Sequence, residues 1–333
     1  MLKWNRHSSS IHTLNADFKL NQAEKIVYFI YNYINNLLNF TFKHEFSIKY
    51  LSLDPSKILA EKIAKKSQIS PARYLSDEFW NKLDLGRVKE SMGEKLSCIE
   101  FGCGNGAYGK LLQDKDSSLD YVGVDIKKPF TWLPGSKNNS LFVQDTYANA
   151  SELIIGKNLI ITQSALEHFE KDLFLFAEIA RIAKMNNQKL IQIHLFPSAS
   201  CLKTFLWHGI RQYNFRTIKK IIKTSEVKEM PILVCLGGPK SNSIHYRAIT
   251  MNMVKKDIDK MYITEEGYEF SLAKAIKWDE LKRKPAKASF YGLILQHNLE
   301  KNWLSKSLVS NKPLDCYYQG LKLINNNKDL RKL

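Results

Sequence analysis

Apolar positions change their period near residue 95. Ile26, Phe29, Ile30, Tyr33, Ile34, Leu37 and Leu38 recur every three or four residues, which predicts an amphipathic helix within 20–42. Asp54-Pro55 opens a second predicted helix running to about Ser67, with Asp54 as N-cap and Pro55 at its first position. Ser70-Pro71 opens a third, reaching about Trp80. Residues 1–95 therefore read as a mainly helical extension or cap. After them, short apolar runs alternate with helical stretches: LSCIEFG (96–102), YVGVDI (121–126), SLFVQD (140–145), NLIITQSA (158–165) and KLIQIHLF (189–196). Runs this continuously apolar suit strands buried on both faces of a parallel sheet. Leu173, Phe176, Ala177, Ile179, Ala180 and Ala183 lie on helical spacing between the last two. PILVCLGG (231–238) and SFYGLILQH (289–297) complete the count.

The pattern predicts an α/β fold with a Rossmann-like, seven-stranded, mostly parallel sheet flanked by helices. The expected core is 96–197. Residues 198–333 finish the sheet and carry a basic helical insertion at about 239–287, expected on the acceptor side.

Charge alters the picture in one respect. The net charge is +17, and residues 198–333 carry 25 Lys and Arg against 12 Asp and Glu, while 96–197 are close to neutral. Such a field attracts anionic partners, whether nucleic acid, an acidic bilayer or a phosphorylated substrate, or is a solvated basic face. The five cysteines, Cys98, Cys103, Cys201, Cys235 and Cys316, are scattered without a CxxC pair, which argues against a disulfide framework or zinc cluster and for a cytoplasmic location. The N-terminus lacks the apolar run of a signal peptide. Asn32, Asn35, Asn36 and Asn39 interrupt the most apolar early stretch, short of the roughly 20 apolar residues of a membrane span.

The candidate chemistry starts at Cys98-Ile99-Glu100-Phe101-Gly102-Cys103-Gly104-Asn105-Gly106-Ala107. A strand enters a glycine-rich turn and a helix leaves it, at the carboxyl end of the first core strand, where open α/β sheets bind ligands. Gly102, Gly104 and Ala107 satisfy a loose dinucleotide pattern. Two features favour a nucleoside joined to an amino acid instead. Glu100 would accept from an ammonium and repel a pyrophosphate, and the third glycine, Gly106, follows after one residue and not two. Asp125 ends the second core strand and can accept from both ribose hydroxyls. Asp145 ends the third and suits either an exocyclic adenine amine or the cap of the next helix.

In this order and spacing, IEFGCGNGAYG, YVGVDI, FVQDTY and ITQSALEHFEKDLFLFAEIARI resemble the class I S-adenosylmethionine-dependent methyltransferases, over roughly 96–197. The resemblance implies S-adenosyl-L-methionine as cofactor. It places Glu100, Gly102, Cys103, Gly104 and Gly106 around the methionine and ribose, Asp125 with Ile126 at the ribose, Asp145 and Thr146 at the adenine, and Gln163 and Ser164 near the methyl group. SPARYLSDEFWNKL and FPSASCLKTFLWHGIRQYNFRTI are similar to segments of bacterial methyltransferases associated with surface-polysaccharide pathways. That implies a small-molecule or glycan acceptor, anionic or lipid-linked. The amphipathic helix at 26–42 either caps the cofactor site or packs on the sheet, or lies on an anionic bilayer as peripheral contact with the inner membrane surface.

Transfer to a hydroxyl requires alignment and removal of a proton. His168 in SALEHF suits a general base by its ordinary pKa, and equally a packing histidine. His208 is the second candidate base. Trp207, Arg211 and Tyr213, in the same short segment, suit a sugar ring and a phosphate, or an ordinary helix. His194 is expected to pack inside the fifth core strand, and His245 and Arg247 are further pocket candidates. No metal-ligand spacing stands out, so metal independence is expected. No [DN]PP[YFW] follows the fourth core strand and no Pro-Cys pair marks a cysteine nucleophile, which favours an oxygen acceptor. The basic C-terminal part keeps RNA open as an alternative acceptor, and a non-catalytic membrane-peripheral scaffold is the alternative from another class.

Overall fold

A computed structural model describes residues 7–37, 45–51, 53, 70–127, 140–205, 207–251 and 265–299. The helix expected from Asp54, the residues past 37 of the first expected helix, Cys316 and the end of the basic C-terminal part lie outside them. In chain order the elements are α1 (Gln22–Leu37), β1 (Ser47–Tyr50), α2 (Pro71–Lys82), α3 (Leu85–Met92), β2 (Ser97–Phe101), α4 (Ala107–Lys115), β3 (Asp120–Asp125), β4 (Ser140–Gln144), α5 (Ala150–Ile154), β5 (Leu159–Gln163), α6 (Asp172–Met185), β6 (Leu190–Pro197), α7 (Phe215–Ser225), β7 (Ile232–Leu236), α8 (Pro239–His245), α9 (Glu265–Lys282) and β8 (Phe290–His297).

The strands form one sheet in the order β1-β7-β8-β6-β5-β2-β3-β4. Only β8 runs antiparallel to its neighbours, β6 and β7. The expectation of seven strands is corrected to eight among the described residues. The added strand is SIKY, inside the stretch read as helical, paired in parallel with β7 from Ser47 opposite Ile232 to Tyr50 opposite Cys235. Four residues are too few to display a period of two, and the pairing partner lies far along the chain.

Alternate strand residues feed two cores. Cys98, Leu159, Ile161, Ile191, Ile193 and Leu195 pack with α2, α3, α4 and α9, through residues such as Phe79, Trp80, Val88, Leu112 and Leu272. Ile99, Phe101, Ile160, Leu190 and Phe196 face the other way, onto Phe176 and Ile179 of α6 and Ile218 and Ile221 of α7. This is a three-layer α/β arrangement. The chain moves from β2 outward through β3 and β4, then returns to β5 on the other flank of β2. A switch in strand order opens a crevice at the carboxyl ends, here between β2 and β5.

Helix ends follow local chemistry. Ser70 caps α2 by accepting from the Arg73 N–H, with Pro71 next. Asn214 and Thr217 form a reciprocal cap at α7. Helix α1 departs from expectation. Its buried residues are Tyr28, Asn32 and Asn35, whereas Ile26, Val27, Ile30, Tyr33, Ile34 and Leu37 are exposed. The reason is hydrogen bonding. The Tyr28 hydroxyl donates to the His208 carbonyl at 2.9 Å, Asn32 donates to that of Ile210, Asn36 to that of Ala199, and the Asn35 carbonyl accepts from Asn214. The polar face satisfies the irregular backbone of 198–214, and the apolar face points outward.

Candidate functional site

The bend after β2 is built as the glycine pattern predicts. Gly102 and Cys103 donate to the Val124 carbonyl at 2.8 and 3.1 Å, and Gly106 donates to that of Cys103. At Gly102, φ is +76°, and a Cβ would stand 2.4 Å from that of Ala165. Glycine there is required twice, by the left-handed backbone and by the approach of the turn after β5. Gly104 and Gly106 also have positive φ.

Two carboxylates frame the bend. Asp125, at the end of β3, accepts from the Gly104 N–H at 2.9 Å through Oδ2, and from the Lys127 N–H at 3.1 Å through Oδ1. Each oxygen keeps further acceptor capacity on the solvent side, and Ile126 beside it is exposed. Glu100 lies buried under the bend and accepts from the Tyr121 hydroxyl. Burial pushes its pKa up to about 8, with the Tyr121 hydrogen bond opposing the shift and the Asp125 charge adding to it. Tyr121, missed in the sequence, was legible only as an apolar residue of β3.

Helix α2 closes over this edge. Arg73 donates to the Tyr108 hydroxyl at 2.6 Å, which itself donates to Asp77 at 2.9 Å. Trp80 donates from Nε1 to Gln163 Oε1 at 2.8 Å, and Gln163 donates to Ser164 Oγ at 3.0 Å. Ser164 has φ of 50°, strained for a residue with a Cβ. At the end of β4, Asp145 Oδ1 accepts from the Thr146 N–H and from Asn149, both at 2.7 Å, while Thr146 caps the following turn.

The second half of the site comes from three segments. The turn Leu166–His168 follows β5. His168 Nδ1 stands 2.6 Å from Asp17 Oδ2, and the His168 ring meets the His208 ring edge to face with centroids 4.6 Å apart. Burial disfavours the charged His168, but the hydrogen bond to Asp17 and the charges of Glu167 and Asp17 outweigh it and raise its pKa. Partial burial and the neighbouring His168 lower that of His208. Asp17 carried no signal in the sequence; it lies 151 residues from His168.

Arg211 and Tyr213 are corrections. Both are fully buried. Arg211 pairs with Asp172 at 3.3 Å and donates to the Phe169 and Glu170 carbonyls, and the Tyr213 hydroxyl bonds Asp172 and the Leu166 carbonyl, each at 3.0 Å. They hold the frame and present no surface to an acceptor. Trp207 is partly exposed with Lys25 over its ring. The segment from Trp207 to Tyr213 is irregular, not helical. His194 is buried and hydrogen-bonded to Thr162 and Gln192, and His245 is buried against Phe205. Lys240, Arg247 and Lys274 line a basic cleft beside Trp278, between α8 and α9.

No family model matches the chain and no curated protein matches its sequence. Among solved structures, it is similar to an S-adenosylmethionine-dependent methyltransferase from Archaeoglobus fulgidus, at 14% identity over 71% of this chain and 99% of that one, with a TM-score of 0.42. It is also similar to the plantazolicin methyltransferase BpumL, solved with S-adenosylhomocysteine, at 12% identity over 73% of this chain and 90% of that one, with a TM-score of 0.36.

Proposed function

We propose that the chain binds S-adenosylmethionine over the Gly102–Gly106 bend and transfers its methyl group to an oxygen of a sugar or other small-molecule or glycan acceptor. One observation carries the reading: a left-handed bend at the β2–β5 switch point has a buried carboxylate, Glu100, beneath it and a half-buried carboxylate, Asp125, at its rim. That pair matches the ammonium and ribose ends of a sulfonium nucleoside. A diphosphate would meet like charge at Asp125. In this reading Gly102, Cys103, Gly104 and Gly106 form the backbone cradle. Ile126, Asp145 and Thr146 flank the nucleoside, and Gln163 and Ser164 lie toward the methyl group.

The acceptor's proton leaves at His168. Asp17 holds Nδ1 and leaves Nε2 to face the hydroxyl, with His208 beside it. Trp207 and the cleft of Lys240, Arg247 and Lys274 suit an anionic acceptor, as the surface-polysaccharide resemblance implies. Titration of the full chain with S-adenosylmethionine and with NAD tests the cofactor, and labelled methyl transfer to sugar nucleotides, glycolipids and RNA tests the acceptor. Binding of NAD in place of S-adenosylmethionine overturns the first, and labelling of RNA alone overturns the second.

The outward apolar face of α1 supports a lipid-linked acceptor at an anionic membrane surface. Among the described residues no helix is long and apolar enough to cross a membrane. Co-sedimentation with anionic vesicles that Ile30→Asp and Ile34→Asp abolish is the expected result; equal sedimentation of the variants removes this placement.

A further inference from the structure

We infer that Asp17, His168 and His208 form a binding site for one divalent transition-metal ion of the zinc type. One ligand atom from each side chain lies within 4.8 Å of the others. Bound zinc brings such atoms to about 2.0–2.2 Å from itself, so side-chain adjustments of an ångström or so close the set. Two imidazole nitrogens and a carboxylate oxygen are a donor set for zinc, cobalt or iron. Magnesium and calcium take all-oxygen surroundings.

A second observation points the same way. Glu167 adjoins the cluster and is 1% exposed. Neither carboxylate oxygen has a hydrogen-bond partner, and Oε1 stands 3.9 Å from His208 Nε2. A carboxylate removed from water without donors is costly. Local positive charge offsets that cost, and an ion among Asp17, His168 and His208 supplies it.

The frame is built before any ion arrives. Asp17 Oδ1 accepts from the Gly209 N–H at 3.2 Å. The Ala16 N–H donates to the Gly209 carbonyl at 2.9 Å and the Ile210 N–H to the Glu167 carbonyl at 2.8 Å. Tyr28 holds the His208 carbonyl. At Gly209, φ is +63° and a Cβ would come 2.8 Å from the Glu167 carbonyl oxygen, so the segment bearing His208 is pressed onto the one bearing His168. Trp207, also in the left-handed region at φ 51°, adds strain beside the cluster. Three side-chain ligands leave a coordination position open.

The site stands on its own donors and not on the methyl-transfer reading. A held ion occupies the nitrogen lone pairs that the base role needs, so the two roles exclude each other in one molecule and are tested apart. The full chain is stripped with chelator, then titrated with zinc, cobalt and magnesium by calorimetry, with bound metal counted by elemental analysis. The expected result is one equivalent of zinc, cobalt bands of a low-coordinate nitrogen–oxygen site, and no comparable magnesium binding. His208→Gln, a partly exposed position, and Asp17→Asn are expected to weaken zinc at least about 10-fold, and Glu167→Gln by a similar factor. His7→Gln serves as the control and is expected to leave affinity unchanged. No stoichiometric zinc uptake by the folded chain overturns the site. So does uptake of equal affinity in the His168→Gln, His208→Gln double variant with an unchanged circular dichroism spectrum. Neither result touches S-adenosylmethionine binding, measured separately on the metal-free chain.

Discussion

The bend at Gly102 and the cluster at His168 both follow the carboxyl ends of neighbouring strands, β2 and β5, and are built by opposite means. The bend is one contiguous strand, turn and helix, joined to the next strand by backbone hydrogen bonds to Val124. Its two carboxylates have partners, Tyr121 for Glu100 and the Gly104 N–H for Asp125. The cluster is drawn from residues 17, 167–168 and 208, and one of its carboxylates, Glu167, has no hydrogen-bond donor. A contiguous element can satisfy its polar groups as it forms. A cluster assembled from distant segments depends on the frame that holds them, and here that frame is the buried Arg211–Asp172 pair with its neighbours.

The largest effect expected is therefore on the frame. Asp172→Ala strands the buried Arg211 and also removes the partner of Ser9, which donates to Asp172 from backbone and hydroxyl. Breaking a buried ion pair costs about 3–5 kcal/mol, which a urea unfolding midpoint measures. A loss comparable to that of an exposed pair would mean that the frame is not what holds the cluster. Next comes Gly102→Ala, where overpacking against Ala165 and the left-handed backbone together cost about 2–4 kcal/mol and cofactor titration is expected to show no binding. Retained affinity there would separate the bend from the cofactor.

Smaller effects sharpen the contrast. Asp125→Ala removes a half-buried acceptor whose proposed hydrogen bonds to ribose are worth about 1.5–3 kcal/mol, so a loss of roughly 10- to 100-fold in S-adenosylmethionine affinity is expected, with little change in the urea midpoint. Equal loss in both measurements would make Asp125 a structural residue of the bend. The smallest signal is a pH dependence. Burial raises Glu100 to about 8 from the ordinary 4.5, so between those values the folded chain holds a proton that the unfolded chain has released. Its contribution to stability is complete below pH 4.5, falls as pH rises, and is gone above about 8. Glu100→Gln is expected to flatten that slope. An unchanged slope assigns the dependence to another group.

The bend was legible because its signal is local. Glu100, Gly102, Gly104, Gly106 and Asp125 fall at fixed offsets within 26 residues of one strand–turn–helix–strand unit. Strands β2 and β5 to β8 were legible because burial on both faces demands continuous apolar runs, whereas β4 is an edge strand with Leu141 exposed. Besides Tyr121 and Asp17, three features escaped. SIKY is too short to show its period. The apolar residues of α1 were read as one face of an amphipathic helix, yet Tyr28, Asn32 and Asn35 face the protein, because the irregular backbone at His208 and Ile210 offers carbonyls that need side-chain donors. Arg211 and Tyr213 were read as acceptor groups beside Trp207, but the partner that buries them, Asp172, lies about 40 residues earlier.

The sequence by itself determined the layer architecture, the switch-point bend and the residue types that frame it, since each follows from periodicity, capping and backbone freedom within short segments. Only the tertiary structure decided which histidine meets which carboxylate, which face of α1 turns inward and which charges are buried. Those outcomes depend on approach between segments from about 40 to about 180 residues apart, where a hydrogen bond or a missing Cβ sets the distance and no local pattern records it.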